Sequence, residues 1–137
     1  MTSIILAAIL LLLFLGLALA GVLYEIKKGK LDLPTKKFIQ GQWHKAEALS
    51  KNDLRAAIFE ADKILAFTLT KMGATDNITK KIKQFESRFK DPELVYQAHR
   101  LRNLLAHQVD FHPSNQELQQ KFNYFRGALT DLGVFKY

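Results

Sequence analysis

The period of the apolar positions changes once along this chain. Residues 4–23, IILAAILLLLFLGLALAGVL, form an unbroken apolar run with no charge or strong polar group. At 1.5 Å rise per residue, such a run matches the roughly 30 Å hydrocarbon core of a bilayer and predicts a membrane-spanning helix. After the interval KKGKLDLPTKK, interrupted by Gly29 and Pro34, apolar residues recur every three or four positions to the end. No alternating strand pattern competes with that helical period.

The helices and their boundaries follow from this spacing. Ile39, Gln42/Trp43, Ala46 and Leu49 mark one helix. Ser50 is placed to cap the next, whose inward stripe is Leu54, Ala57/Ile58, Ala61, Leu65, Thr68/Leu69 and Met72, with Gly73 as its stop. From about Asp76, the residues Ile78, Ile82, Phe85 and Phe89 fall in register for a third. Asp91-Pro92-Glu93 opens a fourth, with Asp as cap and Pro in the first turn. Pro113 and Ser114 open a fifth, where Ser114 and Glu117 make a capping box ahead of Leu118, Phe122, Phe125, Leu129 and Leu132, closed by Gly133. Short connections imply antiparallel neighbours. The expected fold is all-α, one N-terminal transmembrane helix followed by a four- to five-helix up-and-down bundle. Its divisions are a transmembrane anchor over 1–26, a basic juxtamembrane linker over 27–37 and a single helical domain over 38–137.

Charge adds a direction to this picture. The 137 residues carry 20 Lys and Arg against 13 Asp and Glu, and none of them precedes Tyr24, so the net charge of +7 belongs to the part outside the apolar run. Lys27, Lys28, Lys30, Lys36 and Lys37 follow the span closely. Positive charge in that window retains its side in the cytoplasm, which places the N-terminus outside and the C-terminal domain in the cytoplasm, single-pass. The same lysines are suited to lie on anionic lipid. A cleaved signal peptide is the rival reading of the span, since Ala18-Leu19-Ala20 imitates a cleavage site. Met-Thr-Ser lacks the basic region that such a peptide carries, which favours the uncleaved anchor. With the five lysines set aside, 15 basic and 11 acidic residues remain after residue 37, a mildly basic domain suited to anionic partners. There is no cysteine, which excludes disulfides, thiolate metal sites and cysteine catalysis.

One helix carries an unusual polar face. At about 100° per residue, Ala98, Leu101 and Leu105 fall within about 40° of Leu94 and must face the core, while Tyr96, His99, Arg100, Asn103 and His107 gather at about 140° to 240° on the opposite side. A solvated helix surface ordinarily carries Lys and Glu, so this face is built to meet something. A polar contact inside the bundle and the rim of an oligomer interface are the plainer alternatives.

Within it, RNLLAH, residues 102–107, resembles the signature of the HEPN superfamily: Arg, then four to six residues of which the first is polar, then His, on a late helix of a small helical domain. The resemblance spans the region from about Phe38 to Tyr137, with DLRAAIFEADKILAFTL as an earlier helix of the same domain. It implies a HEPN-like bundle acting as a homodimer. Many such domains are metal-independent endoribonucleases in which the 2′-hydroxyl attacks the neighbouring phosphate, leaving a 2′,3′-cyclic phosphate and a 5′-hydroxyl. Carried over, His107 is the general acid/base, Arg102 the phosphate clamp and Asn103 the residue that orients phosphate or histidine, with His99, Arg100 and Tyr96 in support. Histidine and guanidinium suit those roles because one moves protons near neutrality and the other holds two phosphate oxygens at fixed charge. Arg102 and His107 stand about 140° apart on a straight helix, whereas Arg100 lies within about 20° of His107. Either the helix distorts, or two copies complement each other across an interface, or Arg100 shares the role.

Other chemistries have little to stand on. HExxH and cysteine-histidine spacings, a phosphate-binding glycine loop and a nucleophile elbow are all missing from the sequence, so neither metal nor cofactor is implied. Glu60 and Asp62 point about 200° apart on one helix and read as exposed charges. Two function classes remain: a membrane-anchored HEPN-like RNA endonuclease or RNA-binding module, and a non-catalytic membrane-tethered adapter whose polar face binds a protein partner.

Overall fold

In the computed structural model the backbone is described throughout and the side chains everywhere outside residues 25–27. Lys27, one of the lysines expected at a membrane surface, therefore lies outside the described side chains. The chain divides into two compact units, Met1–Lys30 and Leu31–Tyr137. The first is a single helix, α1 (Thr2–Lys27). Its 23 residues Thr2–Tyr24 are long and apolar enough to cross a membrane, and they are exposed, Leu12 and Phe14 by 69% and 70%.

The second unit is all-helical: α2 (Leu33–Ser50), α3 (Leu54–Lys71), α4 (Ile78–Gln84), α5 (Pro92–His107) and α6 (Asn115–Asp131), with a single 3₁₀ turn at Glu86–Arg88 between α4 and α5. Each α-helix opens on a side-chain cap that accepts a hydrogen bond from an otherwise unpaired N–H. Asp32 accepts from Thr35, Asp53 from Ala56 and Asn77 from Lys80, at 2.9 to 3.0 Å. Asp91 accepts from Glu93 at 3.2 Å and Ser114 from Glu117 at 3.1 Å. The last two are the caps expected from sequence. Ser50 is not a cap: it ends α2 and its hydroxyl donates back to the Glu47 carbonyl at 2.6 Å, leaving Asp53 to start α3. α2 opens at Leu33 because Asp32 and Pro34 make a start signal there, so Lys36 and Lys37 stand in its first turns and not in a linker. Gly73 and Gly133, with φ of 102° and 86°, close α3 and α6, and the following N–H groups of Ala74 and Val134 return 2.9 Å bonds to Leu69 and Leu129.

The third expected helix is shorter than its apolar register suggests. Asp76 has φ of 81°, outside any right-handed helix, and α4 stops at Gln84 before the 3₁₀ turn. Ile82, Phe85 and Phe89 are nonetheless buried. α3 sits at the centre, packed on α2 and α6, with α5 against α6 and α3. The core is sealed by Trp43 of α2, fully buried and stacked on Phe122 of α6 at 4.6 Å between ring centres. α5 contributes Ala98, Leu101 and Leu105 as expected, with Val95 in place of the half-buried Leu94.

Candidate functional site

The two faces of α5 are both in use. One packs on α6. The other meets α3, which brings the polar stripe of the sequence reading partly into the interior: His99 is 7% exposed, not on an open surface. Its partner is Asp62 of α3, itself 5% exposed. The Asp62 side chain is a correction to its reading as an exposed charge, whereas Glu60 is a surface residue paired with Lys63 at 2.7 Å.

Four side chains close a ring between α3 and α5. His99 Nδ1 lies 2.8 Å from Asp62 Oδ1, and Asn103 Nδ2 lies 3.1 Å from His99 Nε2. Arg102 donates through a terminal nitrogen to Asn103 Oδ1 at 3.1 Å, and Arg102 Nε stands 3.3 Å from Asp62 Oδ2. That last approach is an ion pair without hydrogen-bond alignment. The ring fixes its own hydrogens. An amide N–H can donate to Nε2 only if the imidazole carries its hydrogen on Nδ1, where it faces the carboxylate, and the same amide orientation turns Oδ1 toward Arg102. The Phe59 ring, 5.3 Å from the guanidinium carbon, covers one side of Arg102. The two helices thus share one carboxylate, one guanidinium, one imidazole and one amide, with Arg102 Nε the one buried ring atom that makes no hydrogen bond.

The remaining face residues lie outside this ring. His107 is exposed on the last residue of α5. Arg100 is exposed beside a shallow groove of about 150 Å³ that Gln97, Phe111, Glu117 and Lys121 also line. Tyr96 is half-buried and its hydroxyl reaches Glu86 Oε2 at 3.4 Å; burial, and then the Glu86 charge, raise its pKa above the ordinary 10.0. α5 is α-helical without interruption from Pro92 to His107. The angular separation of Arg102 and His107 therefore stands within one copy, and helix distortion does not bring them together.

Sequence reasoning brought His99 and Asn103 to one helix face and singled out Arg102 through the motif, but missed Asp62 and Phe59. A signal was present: Asp62 stands four residues after Ile58, three before Leu65 and seven before Leu69, all fully buried, so its spacing is that of the core stripe. Among the described residues, no group of three or more His, Asp and Glu side chains could hold a metal ion. A groove of about 400 Å³ opens between α5 and α6 around Leu94, Tyr124 and Ala128, with none of the motif residues in its lining. Compared with known families, curated proteins and solved structures, the chain matches none.

Proposed function

We propose that this protein is a membrane-anchored HEPN-like domain that works as a homodimer and cleaves RNA without a metal ion. The observation that carries the reading is the closed ring. Asp62 and His99 hold Arg102 and Asn103 in one arrangement on the helix that also bears the half-buried Tyr96 and the exposed Arg100 and His107. A phosphate clamp held in place before substrate arrives stabilises developing charge without reorganisation. Since α5 is regular through His107, the reading commits to a composite site. Arg102 of one copy and His107 of the other act on the same phosphate, the guanidinium on the oxygens and the imidazole on the proton of the 2′-hydroxyl or of the leaving oxygen. α1 as the anchor and the lysines behind it support a single-pass protein with its helical domain in the cytoplasm.

The alternative is a non-catalytic adapter bound to a protein partner. One observation favours it: the charge of Arg102 already faces the Asp62 carboxylate at 3.3 Å, so less of it is left for a phosphate. The two readings separate on the full chain in lipid nanodiscs, given labelled RNA in EDTA. The nuclease reading expects cleavage, with a loss on the order of a hundredfold in His107→Ala. Absence of both cleavage and salt-dependent RNA binding in the wild type overturns it and leaves the adapter.

A further inference from the structure

The domain exposes few large apolar side chains, and they are unevenly placed. Within Leu31–Tyr137, Leu33, Phe38 and Phe67 are 62%, 52% and 36% exposed, with Val109 and Tyr137 the remaining cases. The Phe38 and Phe67 rings meet across α2 and α3 with centres 5.4 Å apart. They border an open groove of about 240 Å³ whose other walls are Gln42, Ile64, Glu60 and Lys63. Lys71 Nζ lies 5.3 Å from the centre of the Phe67 ring. The Asp32 carboxyl is held below its ordinary pKa first by its hydrogen bonds with Thr35 and also by the charge of Lys71. The start of α2 and the end of α3 therefore share one end of the helix pair. There the aromatic rings and Leu33 stand near Lys36, Lys37 and Lys71 with Asp32, while Lys63 and Glu60 are paired with each other at 2.7 Å.

We propose that this end of the α2–α3 pair, with Phe38 and Phe67 at its centre and Lys37, Lys63 and Lys71 around them, docks on the anionic headgroup surface of a membrane. The occupant follows from three properties. Aromatic rings beside lysines suit the headgroup layer, where rings sit at the boundary and ammonium groups meet lipid phosphates and carboxylates. The face begins where the chain leaves its apolar helix: seven residues separate Tyr24 from Asp32, a reach of at most about 25 Å. A second copy is a poorer occupant, because a two-fold contact through this face would set its lysines against their own images. The inference rests on the reading of α1 as a membrane span, and it leaves the α5 face free for a partner copy and for RNA. Docking in this way would fix which side of the domain looks away from the bilayer.

The chain has no native cysteine, so single reporters are simple to place. The full chain, reconstituted in vesicles, would carry an environment-sensitive dye at Phe67→Cys, at Gln120→Cys on exposed α6 as control, or at Leu12→Cys within α1. Quencher would be attached either to the headgroup or deep in the acyl chains. With phosphatidylserine present, the dye at position 67 should be quenched from the headgroup level and the dye at 120 should not. Pure phosphatidylcholine or high salt should reverse most of that difference. Lys63→Glu with Lys71→Glu should lower the docked-to-undocked ratio roughly tenfold or more while helix content stays unchanged. Phe38→Ser, with the dye at Lys37→Cys, gives the same reading without altering Phe67. Equal quenching at 67 and 120, or energy transfer between copies at 67 that grows with protein density, overturns the proposal. Loss of deep quenching at Leu12 would instead show that the anchor reading has failed.

Discussion

Asp62 decides how α3 and α5 hold together, and its role makes unequal demands on the groups around it. Removing the carboxylate leaves a buried imidazole N–H and a half-buried guanidinium unpaired, which is costlier than the pair itself is stabilising. Asp62→Ala should lose about 3 kcal/mol or more in urea unfolding followed by the fluorescence of Trp43, the only tryptophan. Adding Asp62→Ala to His99→Ala should then cost clearly less than Asp62→Ala alone. Additive losses would show that the two side chains are not coupled. Arg102→Ala belongs to the same ring and will lower stability as well, so Arg102→Lys is the cleaner probe of its chemistry. Tyr96 offers a test by pH. Its raised pKa means that the fold prefers the neutral phenol, so its contribution is complete below 10.0 and is lost as pH rises through the raised value. Stability of the wild type should fall more steeply above pH 10.0 than that of Tyr96→Phe; identical alkaline limbs would remove Tyr96 from the account. Of this site, His99 and Asn103 were legible in the sequence because they share one helix face, and Arg102 because it opens the motif. Asp62 was not, because an angular plot of one helix does not say which second helix will cover its edge.

At the scale of elements the sequence is most readable where a start or stop signal is local. Asp91 with Pro92, Ser114 with Glu117, and the glycines at 73 and 133 act within a few residues of themselves, and each ends or begins a helix as the spacing requires. Where two candidates compete within four residues, propensity alone does not choose: Ser50 and Asp53 are both good caps, and the chain uses Asp53 because α2 continues through Ser50. Ser114→Ala and Asp53→Ala should each lose about 1 kcal/mol of stability, whereas Ser50→Ala should be close to neutral. A larger loss at Ser50 than at Asp53 would contradict the observed start of α3. α4 was misjudged in length for a tertiary reason. Phe85 and Phe89 keep a helical apolar spacing, yet they reach the core through a 3₁₀ turn whose tighter pitch the sequence pattern does not distinguish.

The whole molecule joins an apolar helix of bilayer length to a basic helical domain, and the proposed function depends on how copies meet. Topology is the first consequence: single cysteines at Thr2 and at Gln120 should be labelled from opposite sides, the second only after permeabilisation. Labelling of Gln120 on intact cells would reverse the orientation. The proposed dimer is the second. Because Arg100 and His107 are exposed and outside the ring, Arg100→Glu with His107→Glu should weaken association in sedimentation and leave helix content intact, whereas a change at Asn103 would also break its bonds to His99 and Arg102. The composite site itself is tested most directly by complementation. Arg102→Lys and His107→Ala, each inactive alone on labelled RNA in EDTA, would be mixed at the full-chain level and the products examined for 2′,3′-cyclic phosphate ends. If Arg102 of one copy acts with His107 of the other, mixed dimers regain one intact site, and cleavage returns to a sizeable fraction of the wild-type rate. Cleavage by the wild type with no recovery on mixing would contradict the cross-copy site, and a wild type that leaves the RNA intact would contradict the nuclease altogether.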